Sequence, residues 1–218
     1  YDLEMDEEIT IIDSNTRNER IKNFFINNKK NLLISILLII ILLIGYLSFD
    51  VIKEKKRINL ANKFNLAVMN YKNHSEKKST EELIDIVKEN DTTYSPLALY
   101  FLLDNNLIKN KEEINFLFDE LIIKTNLDEE IKNLNIYKKG LFNSNFVSEN
   151  ELIKILNPII NSKSIWKSHA LYLVAEFFYA KGEYQKAKEF FNQVLMLTNL
   201  NSDIKQASQK RINRDISE

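Results

Sequence analysis

His74 and His169 are the two imidazoles of this 218-residue chain, and it has no cysteine. A zinc centre needs three or four converging ligands. Here the histidines stand in distant segments, with neither an H-x-x-x-H nor an H-x-x-E pairing. His74 falls in a polar turn, and His169 opens a helix beside Trp166, where ring packing or groove lining is the expected role. The carboxylate pairs Glu81/Glu82, Glu112/Glu113 and Glu129/Glu130 are adjacent in sequence. Neighbours on a helix diverge, so they are no acid–base couple; acids near a helix start instead favour the macrodipole. With three glycines, the chain contains no G-x-S-x-G, P-loop or G-x-G-x-x-G stretch. The expectation is a protein that is not an enzyme, with no metal, no cofactor and no small-molecule substrate.

Binding is the chemistry left, and the elements must supply its surface. Net charge is -1, from 30 basic and 31 acidic residues, so no overall basic field attracts nucleic acid. Three Gly and two Pro are too few for the turns of an all-β protein. They point to an all-α chain joined by short Asn, Asp, Ser and Lys connections.

Leu32–Phe49 holds 18 residues without one charge. A membrane-spanning helix needs about 20 apolar residues, with a lower limit near 17. A soluble helix would carry a polar stripe, whereas the only small or polar breaks here are Ser35, Gly45 and Ser48. The run is longer than the apolar part of a signal peptide and its exit lacks a small-residue cleavage site. It is expected to be an uncleaved anchor, with Tyr46 and Phe49 at one interface. Basic residues flank it equally, so charge alone does not orient it. The expected organisation is a tail over 1–30, acidic from Asp2 to Asp13 and basic from Arg17, a transmembrane helix over 31–50, and a helical domain over 51–218.

Apolar spacing places helices at Ile58–Tyr71, Thr80–Glu89, Ser95–Asn105, Lys111–Lys124, Asp128–Lys139, Glu149–Leu156, Ser164–Ala180, Glu183–Leu197 and Ser202–Arg214. The Ser79-Thr80-Glu81-Glu82 start reads as a cap, and Ser95-Pro96 as a cap followed by the first helical residue. Gly140–Val147 reads as a long break. Helix pairs recur about every 34–40 residues, the period of a helical-hairpin solenoid; a bundle without repeats is the alternative.

The best unit lies within 166–199, followed by a capping helix over 202–214. His169–Asn199 resembles a tetratricopeptide repeat. Leu171, Val174, Ala175 and Phe178 stand at its first-helix positions, Gly182 and Tyr184 at its turn, and Ala187, Phe191 and Val194 on its second helix. Asn199 stands where the motif has Pro. With the tail stretch Arg17-Asn18-Glu19-Arg20-Ile21, one span and about four degenerate hairpins, the layout resembles the bacterial single-span tetratricopeptide-like family. Its best-known members are called the ancillary subunit of the SecYEG translocon. The resemblance implies residence in the inner (cytoplasmic) membrane with the N-terminus in the cytoplasm and the repeats in the periplasm. It also implies the secretion translocon, membrane-anchored periplasmic chaperones and emerging unfolded clients as partners. The motif positions facing the groove fall on His169, Tyr172, Glu176 and Tyr179; tyrosines around a carboxylate offer stacking and hydrogen bonds to an extended segment. A scaffold for a cell-envelope complex, serving cell division or outer-membrane biogenesis without client binding, is the competing reading.

Overall fold

The computed structural model describes residues 19–198 and 201–215, with the side chains of all of these except 47–50 and 215. The acidic run Asp2–Asp13, Arg17 and Asn199 fall outside the described residues, as does the side chain of Phe49. Among the described residues every regular element is a helix. The chain divides into two units, Tyr1–Ile58 and Asn59–Glu218.

In the first unit, residues 19–27 are helical and α1, Lys29–Lys72, then begins. It takes in both the apolar run and the separately expected Ile58–Tyr71 helix. Nothing in the sequence between them, Asp50 to Arg57, breaks helical geometry, since neither Gly nor Pro intervenes.

Among its described residues the second unit holds the last part of α1 and eight further helices. These are α2 (Glu76–Lys88), α3 (Tyr94–Asp104), α4 (Lys111–Asp119), α5 (Glu129–Asn143), α6 (Glu149–Ile160), α7 (Lys167–Ala180), α8 (Tyr184–Leu195) and α9 (Ser202–Lys210). A π-helical turn, Glu120–Lys124, extends α4, and another, Arg211–Asp215, extends α9. Each helix from α2 to α9 packs on an adjacent one in sequence, and α5 on α7 and α7 on α9 also meet.

Four connections turn on a residue with a left-handed backbone. His74 (φ 62°), Asn90 (φ 54°) and Asn106 (φ 52°) do what Gly182 (φ 75°) does after α7. The Leu107 amide reaches back to the Leu102 carbonyl at 2.9 Å, and the Glu183 amide to Phe178 at 3.0 Å. These bonds satisfy the carbonyls a helix end leaves open. Asparagine thereby replaces glycine as the stop signal.

Two expected caps are overturned. α2 starts at Glu76, with Ser75 at its cap. Ser79 lies inside α2, fully buried, and its hydroxyl donates to the Ala67 carbonyl at 2.8 Å. A small hydroxyl inside the contact ties α1 to α2 without separating them. Ser95 likewise donates to the Ile86 carbonyl at 2.8 Å. The group that caps α3 is Asp91, whose carboxylate accepts from the Thr93 and Tyr94 amides at 2.9 and 2.8 Å. Asn110, Asp128, Ser148 and Asn201 cap α4, α5, α6 and α9 through their side chains.

The expected break over Gly140–Val147 is confined to its second half, residues 144–147. α5 continues to Asn143, and Gly140 sits within it, buried against α6. A Cβ there would stand 2.5 Å from Leu156 Cδ2 and 3.0 Å from Cγ. Gly140 is thus a contact surface for Leu156.

Burial is organised in two apolar clusters. One gathers Leu60, Leu83, Leu99, Leu102, Leu117 and Phe118 with their neighbours from α1 to α4. The other gathers Leu152, Leu156, Val174, Phe178, Ala187 and Phe191 from α6 to α8, with Ile136 of α5. Ile122 packs against both. Phe142 of α5 also packs on the first cluster, its ring 6.3 Å from that of Phe118, and polar contacts join the seam as well. Asn115 and Asn143 exchange amide hydrogen bonds at 3.1 and 2.7 Å, and Tyr100 donates to the buried Asn135 at 2.9 Å. Lys139 pairs with Asp119 at 2.6 Å. Burial pushes the Tyr100 hydroxyl up to about 12, against the lowering effect of its bond to Asn135.

Candidate functional site: the apolar helix and the carboxylate patch

α1 is long and apolar enough to cross a membrane. Its most apolar 18-residue window has a mean hydropathy of 3.0, and none of that window is buried within the protein. A soluble core helix would be covered; this one presents Leu33 to Ile44 outward on every side. Ser35 disposes of its hydroxyl inside the helix, donating to the Asn31 carbonyl at 3.0 Å.

The second feature is built on α7 and α8, joined through Gly182. Leu171, Val174, Ala175, Phe178, Ala187, Phe191 and Val194 are all buried. Ala187 has no exposed surface; its single methyl lets the two helices approach closely. Tyr184, placed in the turn by spacing, is the first residue of α8 and about half exposed, its ring 5.4 Å from that of Tyr179.

Of the four residues expected to face a groove, three share contacts and His169 joins a different group. Tyr172, Glu176 and Tyr179 share a face of α7 at helical spacing. Tyr172 donates to Glu176 Oε1 at 2.8 Å. Arg211, from the turn after α9, grips the same carboxylate with two nitrogens, Nε to Oε1 at 2.8 Å and Nη2 to Oε2 at 2.9 Å. Its guanidinium also lies 4.1 Å above the centre of the Tyr179 ring. Burial, followed by the bond to Glu176 and its charge, pushes the Tyr172 hydroxyl up to about 12, with Arg211 acting in the opposite sense. Beside this cluster is an open cleft of about 420 Å³, lined by Tyr172, Tyr179, Ala207, Lys210, Arg211 and Arg214.

His169 belongs to a separate aromatic group. Its ring stands 5.0 Å from Trp166 and 5.7 Å from Tyr137, and those two stack at 5.8 Å. Burial lowers its pKa, and a backbone hydrogen bond involving Ile165 opposes that shift. Among the described residues no three His, Asp or Glu side chains cluster as metal ligands would.

Sequence reasoning missed Arg211. It is 35 residues from Glu176, and one arginine among the charges of an amphipathic helix carries no local sign of its partner. Compared with protein-family models, curated proteins and solved structures, the chain matches none of them.

Proposed function

We propose that the chain is a membrane-anchored helical-repeat module that binds other proteins, with α1 as a single span and the second unit as a solenoid of degenerate hairpins. The observation that carries this reading is an uncovered apolar helix joined in one chain to an all-helical unit whose best hairpin fills the tetratricopeptide positions. A tether confines the module to a surface, so weak contacts act at high effective concentration. By resemblance, the partners are the secretion translocon, its periplasmic chaperones and emerging clients. The membrane is the bacterial inner membrane, with the repeats in the periplasm. Retention in membranes after alkaline carbonate washing tests the anchor, and a compartment reporter fused at Glu218 tests the side. Affinity purification in mild detergent tests the partners; recovery of no translocon or chaperone subunit sinks that assignment.

The Arg211 contact favours the second reading, an envelope scaffold without client binding. Glu176 and its tyrosines already have an occupant from the same chain. Suppression of aggregation of a denatured reporter protein separates the two readings, because a pure scaffold leaves aggregation unchanged.

A further inference from the structure

A groove lined from α3, α4 and α5 combines an apolar floor with a local excess of cations. It encloses about 510 Å³, within the roughly 300–1,000 Å³ range of ligand sites. Its floor is apolar, with Ile108 and Ile114 buried and Leu141 and Phe146 substantially exposed. Three lysines line it, Lys109, Lys111 and Lys138, and no carboxylate does. In a chain with slightly more acids than bases, that is a local excess of three cations. None of the three pairs with a carboxylate among the described residues, whereas Lys78, Lys124, Lys139 and Lys186 each do. Two are held in place by aromatic faces. Lys111 Nζ lies 4.0 Å from the Phe146 ring centre, and Lys138 Nζ lies 4.2 Å from that of Tyr100.

The cations come from two stretches, Lys109 and Lys111 on either side of the Asn110 cap and Lys138 on α5. Cations carried on two elements beside an apolar floor suit carboxylates distributed along an extended or helical segment. Asn106 and Asn145 at the margin offer amides to a peptide backbone. We propose that this groove docks an acidic amphipathic segment of a partner protein. The segment's large apolar side chains meet Leu141 and Phe146, and its carboxylates meet Lys109, Lys111 and Lys138. The inference rests on reading the chain as a protein-interaction module and names the chemistry of one partner.

The test uses the full chain in nanodiscs of zwitterionic lipid, with empty nanodiscs as the blank. The probe is a short fluorescein-labelled peptide alternating Glu with Leu and Phe; its counterpart has Lys at every Glu. Fluorescence anisotropy should show saturable binding of the acidic peptide alone. The double variant Lys109→Glu/Lys138→Glu should weaken it about tenfold, and added salt should weaken it further. Leu141→Ser should weaken it at unchanged salt dependence, while Lys109→Arg/Lys138→Arg should retain it. Circular dichroism establishes that each variant keeps its helices. Equal binding of the Lys peptide, or affinity unmoved by charge reversal, overturns the groove. Dodecanoate displacing the peptide stoichiometrically overturns it too, in favour of a site for a single anionic headgroup. Binding that persists after charge reversal leaves the interaction module standing without this groove. Failure of the module itself is read separately, from the affinity purification.

Discussion

Arg211→Met removes the guanidinium that joins α9 to α7 while keeping most of the apolar stem. The Arg211 and Glu176 side chains are 33% and 25% exposed, so the pair lies between two measured regimes. Exposed pairs contribute up to about 1 kcal/mol, and breaking a buried pair costs about 3–5 kcal/mol. A two-point contact with that exposure points to about 1.5 kcal/mol, and the loss of the Tyr179 face adds about 0.5 kcal/mol. Glu176 keeps the Tyr172 hydroxyl as donor, which limits the penalty of stranding its charge. The sum, about 2 kcal/mol, corresponds to roughly a thirtyfold rise in opening of α9 from α7. Hydrogen exchange measured by mass spectrometry on Ser202–Lys210 reads that opening directly. A double-mutant cycle with Glu176→Gln should return a coupling of about 1–2 kcal/mol. Exchange accelerated less than about threefold, or coupling below about 0.3 kcal/mol, would show a solvated surface pair and end the argument that α9 closes this patch.

Four further outcomes rest on local geometry. Gly140→Ala should destabilise by up to about 2 kcal/mol. Helix propensity favours Ala by about 1 kcal/mol, but the clash with buried Leu156 costs about 1–3 kcal/mol. A denaturation midpoint that rises instead refutes the close approach, and Leu156→Ala should remove the penalty in the double variant. Gly182→Ala should cost about 1–2 kcal/mol although no atom lies within 4 Å of the added methyl, because the cost lies in the positive φ. Asn106→Gly should stabilise by up to about 1 kcal/mol for the same reason, and urea midpoints compare the two. Tyr100 and Tyr172 should ionise late in the folded chain, at about pH 12 against about 10 unfolded. The folded state holds these protons more tightly. Their stabilisation is therefore complete below about pH 10 and fades as the pH rises toward about 12. Tyrosinate absorbance should show two or more of the nine tyrosines titrating late; a single transition near 10 with constant stability contradicts the burial.

Much was legible in the sequence because it repeats or is local. The uncharged run, the helical periodicity and the Leu171–Val194 pattern each depend on residues within a few turns of one another. Helix termini were less legible. Ser79 and Ser95 have the residue type of a cap, and only packing against Ala67 and Ile86 turns their hydroxyls inward. Gly140 reads as a break until Leu156 is seen against it.

The amino-acid order by itself determined that the protein is helical, that one segment is apolar all round, and where most chain reversals fall. Tertiary structure alone decided that Glu176 meets Arg211, that His169 joins Trp166 and Tyr137, and that three lysines surround one apolar floor. Helix periodicity places a side chain on a face, but it carries no information about which distant face arrives opposite. That pairing is set by how the helices stack, and the stack depends on the fit of all their buried side chains together.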